Sequence, residues 1–241
     1  MAYRECWALQ QRFFELRSAK RCGDLLLLVE HPPTVTLGRK GARSNLLLSQ
    51  ERYVSRGIEV VEIDRGGDVT FHGPGQLVGY PILDLAELLP DLHGYVRALE
   101  DVMIRVADSY EVAAARLQGL SGAWVSQDGA VEKLGAIGVK VKNWITMHGF
   151  ALNVNTELEG FATIVPCGIQ GKGVTSLARL LGRRLDMAEA RRRTLASFCE
   201  VFGMRSRQAP GVAELLSACD WPAGAPPEEA RPALSPGGGL R

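Results

Sequence analysis

Apolar residues along the chain recur at two spacings, one near 3.6 residues and one of 2, and their order outlines the fold. Residues 3–21 carry Trp7, Phe13, Phe14 and Leu16 near helical spacing, and Gly23 ends the run, which predicts an amphipathic helix. Leu25–Glu30 reads as a buried strand, His31-Pro32-Pro33 as a turn and Thr34–Leu37 as a second strand. A polar, glycine-containing loop covers Arg39–Asn45, and Ser49 is placed to cap a short helix that stops before Gly57. Strands dominate from Ile58 to Ile82, broken by glycine clusters at Arg65-Gly66-Gly67 and His72-Gly73-Pro74-Gly75. Helical spacing returns over Asp91–Tyr110 through Tyr95, Leu99, Val102, Met103 and Val106. A meander of strands is predicted near 112–117, 123–126, 131–142 and 145–155. Beyond the loop around Cys167, helices are predicted at Ser176–Leu181 and Met187–Phe202.

Strands and helices in mixed order, with no internal repeat, predict an α+β fold: a mixed β-sheet flanked by helices. Residues 1–221 read as one catalytic-size domain, and 222–241, rich in Pro, Gly and Ala, as a loosely ordered tail.

Composition narrows the function classes. With 241 residues, 46% hydrophobic and 23% charged, the chain can bury a core without disulfides or metals. A net charge of +1 and no long basic block point away from nucleic acid. Leu25–Val29, the longest aliphatic run, is far too short to cross a membrane. Arg4 and Glu5 stand where a secretion signal would carry its apolar stretch. The five cysteines are odd in number and none forms C-x-x-C, a pattern of free thiols that predicts a cytoplasmic protein. No Cys/His spacing suits a metal, so neither a metal nor a cofactor is expected.

The least ordinary stretch is Arg65–Tyr80, which gathers glycines around Thr70, His72 and Gln76. Glycine lets backbone approach a ligand closely, and exposed N–H groups bind carbonyl oxygens or anions. The alternative is a pair of hairpin turns with a surface histidine. Neither the Walker nor the G-x-G-x-x-G spacing is present, so nucleotide binding is not indicated. Cys167, between Pro166 and Gly168, lies where an apolar run (Phe161–Val165) meets a glycine-rich loop, and a thiol there is either a nucleophile or core filling. Cys6, Cys22 and Cys199 lie in or beside helical patterns and read as inert, and Cys219 has no assigned role. Alternation places Lys133 on the face of Gly135 and Ile137, opposite Leu134 and Ala136. Lys140 and Lys142 read as solvent-facing charges of an edge strand. His148 reads as a satisfied strand histidine, and His31 and His93 as structural.

Taken in order, these segments resemble a known family. Arg65-Gly66-Gly67 with Thr70, His72, Gly75-Gln76 and Tyr80, then Lys133 with Ala136-Ile137-Gly138, then His148-Gly149-Phe150-Ala151-Leu152-Asn153-Val154, then Pro166-Cys167-Gly168 resemble the signature of the octanoyltransferases of lipoate biosynthesis. The resemblance spans roughly residues 24–203, and Asp68, Val69 and Leu77 stand at variable positions. It implies an α+β fold similar to the catalytic domains of lipoate and biotin protein ligases. It also implies transfer of an octanoyl group from octanoyl-acyl carrier protein to a lysine of lipoyl domains, those of 2-oxoacid dehydrogenases or the glycine cleavage H protein. By the same resemblance Cys167 forms the acyl-enzyme thioester and Lys133 pairs with it. Arg65, Gly66, Gly67, Asp68, Val69, Thr70, Phe71 and His72 would line the acyl pocket, together with Ala136, Ile137, Gly138, Gly149, Phe150 and Ala151.

The implied chemistry fits the residue types. An ordinary cysteine, pKa about 8.5, is only ~3% thiolate at pH 7, and an adjacent ammonium favours the charged sulfur. The acceptor amine needs a base, for which Lys133 is the first candidate and His72 the reserve. Rival readings are an ATP-dependent lipoate or biotin ligase, a non-catalytic acyl-carrying scaffold and a cysteine hydrolase. An acidic carrier protein would meet basic residues such as Arg39, Lys40, Arg43, Lys140 and Lys142, which read equally as a solvated face.

Overall fold

The computed structural model describes residues 1–127, 129–165, 172–207, 209 and 211–219. The tail at 222–241 and the loop with Cys167 lie outside the described residues. The chain opens with α1 (Tyr3–Ser18), β1 (Leu25–Val29), β2 (Thr34–Leu37), α2 (Gln50–Ser55), β3 (Glu59–Glu62), β4 (Val69–His72) and β5 (Gln76–Ile82). It continues with α3 (Leu85–Leu88), α4 (Leu92–Asp108), β6 (Ala115–Leu117), β7 (Leu120–Gln127), β8 (Ala130–Lys142) and β9 (Ile145–Asn153). The described residues end with β10 (Gly173–Val174), α5 (Leu177–Leu181), α6 (Met187–Phe202) and α7 (Val212–Cys219).

Local chemistry sets the boundaries. Asp91 starts α4 by accepting a hydrogen bond from the His93 backbone N–H at 2.9 Å, and Asp186 does the same for α6 through Ala188 at 2.8 Å. Gly203 closes α6 in the left-handed conformation, φ 62°. Along α1 the buried residues Tyr3, Cys6, Gln10, Phe13 and Leu16 recur at steps of three and four, one face of a helix. Helix α7 was not anticipated from the sequence.

Two sheets result. The larger has the order β1-β5-β9-β8-β7-β6, its pairs antiparallel, with β10 added parallel to β8. The smaller has the order β3-β2-β4, with β2 parallel to β3 and antiparallel to β4. Leu77, Leu134, Phe150 and Leu152 of the large sheet pack with Tyr95, Leu99 and Met103 of α4 and Phe198 and Phe202 of α6. On the opposite face Phe13 and Leu16 of α1 meet Ile82 and Ile145, and Cys6 meets Val78, Tyr80 and Ala151. The sandwich of helices around a mixed sheet is the α+β architecture expected from the sequence.

The register of β8 departs from strict alternation. Ala123 pairs with Gly135 but Trp124 pairs with Lys133, so Leu134 is an extra residue, a β-bulge. Leu134 is buried in the core under α4, and a side chain on Gly135 would strike Met103 Sδ of the same helix at 2.4 Å. Lys133 therefore shares its face with Ala136, whereas simple alternation had set the two on opposite faces. Lys140 also differs from expectation. It is paired with Asp64 and its side chain is 18% exposed, while Lys142 is exposed as expected. The far edge of β8 is met there by the Arg65–Gly67 loop, whose Gly66 N–H donates to Val139 O at 2.8 Å.

Where β8 and β9 pair, Gly138 stands opposite Gly149. A Cβ on Gly149 would lie 2.1 Å from the carbonyl oxygen of Gly79, a backbone atom that cannot swing aside. Gly149→Ala should lower the unfolding free energy by about 2 kcal/mol or more in urea titrations. Gly23→Ala, with no atom within 4 Å of its new methyl, should stay within about 0.5 kcal/mol of the parent.

Candidate active site

A cavity lies on the α1 side of the large sheet, under the small sheet. Its floor is built from small residues: Ala136 and Gly138 of β8, Gly149 and Ala151 of β9, and Val78 of β5. Strand positions on this face would normally carry large side chains that fill the layer, and their absence leaves the space. The wider lobe encloses about 1220 Å³ of empty space, part of it open to solvent, and reaches from Lys133 to Tyr3, Tyr80 and His148. A narrower lobe of about 490 Å³ extends from Lys133 past Trp124, Phe161 and Val174. Lys133, Thr70, Ala136 and Ala151 line both.

Small-sheet residues form the roof. Alternation along β4 aims Thr70 and His72 at the cavity, whereas Val69 and Phe71 point into the small core, where Phe71 meets Phe161 edge-on at 5.5 Å. Arg65 holds the glycine turn down. Its guanidinium donates to Thr36 O at 2.9 Å, Thr36 Oγ1 at 3.0 Å and Gly66 O at 3.0 Å.

A chain of buried amides ties roof to floor. Gln76 Nε2 donates to Phe71 O at 3.2 Å and to Asn153 Oδ1 at 2.9 Å, which leaves Gln76 Oε1 to accept from His72 Nδ1 at 2.7 Å. Asn153 Nδ2 donates to Thr175 O at 3.0 Å, and the Thr175 N–H donates to Lys133 O at 3.0 Å. The backbone under Lys133 is thus fixed from the far side of the site. Burial, with His31 nearby, lowers the pKa of His72 to about 3, so the ring is neutral at pH 7. A base that weak takes a proton from an amine poorly.

At the inner end the His31 Nδ1–H donates to Met1 O at 2.9 Å, and the Tyr80 hydroxyl donates to His31 Nε2 at 2.8 Å. Burial pushes the phenols of Tyr3 and Tyr80 up and keeps them protonated. His148 donates Nε2–H to Asp64 Oδ1 at 2.8 Å, and the Gln10 side chain accepts from its backbone N–H at 3.1 Å. The hydrogen bond from His148, with Lys140 alongside, holds the Asp64 carboxyl well below the usual carboxylate range. His148 was expected to be a satisfied strand histidine. It instead has φ 59°, and its buried Nδ1 lacks a hydrogen-bond partner among the described residues. Among the described residues no His/Cys/Asp/Glu group could hold a metal, and no helix is long and apolar enough to cross a membrane.

The profile of the lipoyl protein ligase A/B catalytic domain matches residues 2–199. The chain belongs to the lipoyl protein ligase A/B catalytic-domain family. It is 48% identical over 203 residues to a protein of Caldicellulosiruptor bescii named octanoyltransferase, covering 83% of this chain and 87% of that one. It is 47% identical over 204 residues to an octanoyltransferase of Chloroflexus aggregans, covering 84% and 91%. Its fold resembles a lipoate-protein ligase A bound with ATP, TM-score 0.65 at 14% identity over 87% of this chain and 86% of that one. A bipartite lipoate protein ligase from Thermoplasma acidophilum gives TM-score 0.64 at 14% identity, over 88% and 85%.

Within this family fold, the cavity lining gathers Arg65, Gly67, Asp68, Thr70 and His72 of the residues expected there, with Ala136, Ile137, Gly138, Gly149, Phe150 and Ala151. Gly66 serves through its backbone bond to Val139, and Val69 and Phe71 support the roof from behind. Cys167 lies outside the described residues. Sequence reasoning missed Trp124, Lys172, Asn153 and Tyr3, which line the lobes. Tyr3 sits inside an ordinary helix pattern that nothing local separates from core residues, and Asn153 stood in the resemblance motif without an assigned role.

The neutral histidine sets a pH signature. An unfolded histidine, pKa about 6.5, binds a proton at pH values where folded His72 does not. Its stabilising contribution is therefore complete above pH about 6.5 and lost as pH falls towards about 3. Unfolding free energies between pH 7 and 4 should fall less steeply in His72→Gln than in the parent, by up to ~1.4 kcal/mol per pH unit.

Proposed function

We propose that this protein transfers an octanoyl group to a lysine of a lipoyl-accepting domain, by way of a thioester on Cys167. The observation that carries the reading is an apolar-floored cavity ending at an amine, Lys133, in a chain closely similar to proteins named octanoyltransferase. Small residues under the roof loop leave room for a thin aliphatic chain, whose burial supplies roughly 0.8 kcal/mol per methylene. Lys172, five positions after Cys167 in sequence, lines the same lobe as Lys133.

The reaction runs in two exchanges. Neutral Lys133 takes the Cys167 proton, and the thiolate attacks the carbonyl carbon of octanoyl-acyl carrier protein. The carbon–sulfur bond to the donor breaks as the bond to Cys167 forms, and the Lys133 ammonium returns its proton to the departing thiol. The acceptor lysine, as free amine, then attacks the acyl-enzyme while Lys133 removes its proton and Cys167 leaves as thiolate. Converting a thioester to an amide is downhill, so no nucleotide enters. Lipoyl domains of 2-oxoacid dehydrogenases and of the glycine cleavage H protein are the acceptors that the reading implies.

Incubation with octanoyl-acyl carrier protein, without ATP, should raise the intact mass by one octanoyl group in the parent and not in Cys167→Ala. Absence of the adduct under rapid quench, or a strict need for ATP, would overturn the covalent route.

Lys133→Ala should slow octanoyl transfer by about 10²–10⁴-fold and slow alkylation of Cys167 by iodoacetamide near neutral pH. Cys6, whose thiol burial pushes up to about 11, should stay unlabelled on that timescale. Unchanged Cys167 reactivity would remove Lys133 from the thiolate role.

A further inference from the structure

The β-bulge that turns Lys133 into the cavity also sets it directly across from Trp124 of β7. The two side chains emerge on the same face, and Lys133 Nζ lies over the indole ring, 4.6 Å from its centroid. Trp124 is 3% exposed. Its Nε1 is buried with no hydrogen-bond partner among the described residues, so the polar contact the ring makes is through its face. An indole face carries the negative end of the ring quadrupole and attracts an ammonium, most strongly where water is excluded.

We propose that Trp124 is a positioning residue for Lys133, holding its ammonium form over the junction of the two lobes and favouring that form in both exchanges. The proposal rests on the reading that Lys133 is the proton carrier. Each exchange passes through the same species, since Lys133 becomes an ammonium when Cys167 loses its proton and again when the acceptor amine loses one. A ring that favours the ammonium makes Lys133 a stronger base at both moments and keeps the charge where the sulfur develops its own.

The surroundings make such help useful. Lys172 lines the same narrow lobe, and a second ammonium there opposes charge on Lys133. On the other side stand Lys40 at the mouth, Arg65 in the roof and His72, which is neutral. Asp68 also lines the wider lobe, but its carboxylate is engaged by Asn45 Nδ2 at 2.6 Å and the Ala42 N–H at 3.3 Å. Glu132, the neighbour of Lys133 in the chain, faces Arg179 at 3.5 Å. The charged residues described along the two lobes are thus mostly cationic, and the π face of Trp124 favours the ammonium against them.

The test is the pH profile of acyl-enzyme formation, followed by rapid quench and intact mass with octanoyl-acyl carrier protein. The acid limb marks ionisation of the thiol, and the alkaline limb marks loss of the Lys133 proton that the departing thiol needs. Trp124→Leu removes the π face and should move the alkaline limb down by about one pH unit, a tenfold change in that equilibrium. Trp124→Phe should fall between. Site-specific replacement of Trp124 by singly to multiply fluorinated tryptophans, which keep the shape and weaken the quadrupole, should shift the limb downward in step with fluorination. The fluorinated series stands even if Trp124→Leu fails to fold. A limb that stays put across the series, with rates altered or not, overturns the proposal while leaving the thioester mechanism intact. No acyl-enzyme in the parent, or a Lys133→Ala variant with an unchanged profile, overturns the underlying reading and this proposal with it.

Discussion

The register of β8 against β7 and β9 is the constraint on which the site depends. One inserted residue, Leu134, sends two successive side-chain positions towards α4 and lets Lys133 and Ala136 both face the cavity. The insertion costs local ladder pairing, and the core offsets it. Leu134 is fully buried against α4, and Gly135 carries no side chain where Met103 needs the room. Were the strand regular, Lys133 and Ala136 would face opposite sides of the sheet. An amine turned into the helix layer has no chemistry to perform and a large desolvation cost. Bulges are most useful where a side chain must be re-aimed at a fixed point, and this one does so at the junction of both lobes.

What the bulge aims, the amide chain keeps in place. His72, Gln76, Asn153 and Thr175 come from separate segments, yet each donates to the next, and the last donates to the backbone of Lys133. Every link is buried, so breaking one strands a polar group away from water rather than exchanging it for solvent. The glycines serve the complementary purpose. Gly149 lets its strand meet the Gly79 carbonyl where a methyl would collide, and Gly138 leaves room for Arg65 and the Gly66 carbonyl, which lets the roof loop come down onto β8. A stiff frame around a volume empty of side chains suits the capture of a flexible aliphatic chain, since the frame loses little entropy on binding.

The fold class and the order of elements were legible because hydrophobic spacing reports directly on which face of a helix or strand is buried. The glycine-rich roof and the place of Lys133 in the cavity lining were legible from motif chemistry and family resemblance, while Cys167 lies outside the described residues. The facing of Lys133 was not, because a bulge changes register without leaving a composition signal beyond an unremarkable Leu-Gly pair. Lys140 looked like a solvent-facing charge, and its partner Asp64 lies 76 positions away in sequence. Val69 and Phe71 belong to the signature segment, but period-two geometry gives only alternate residues to the cavity. Trp124 resembled any strand aromatic until its cross-strand partner was known. The misses at Lys133, Lys140 and Trp124 concern non-local pairings, which local pattern does not encode.

Under the proposed mechanism a single lysine serves two exchanges and faces opposite demands. To free the thiol it must accept a proton, and to release the donor it must give one back, so neither a permanently charged nor a permanently neutral amine will do. The chemistry works when the two states differ little in free energy. Under the proposed mechanism, cationic residues lining the lobes favour the neutral amine, and the indole face under Lys133 favours the ammonium. The cavity lining mixes apolar and polar residues. It has an apolar floor and a neutral histidine, His72. The amine itself stands where the lobes meet.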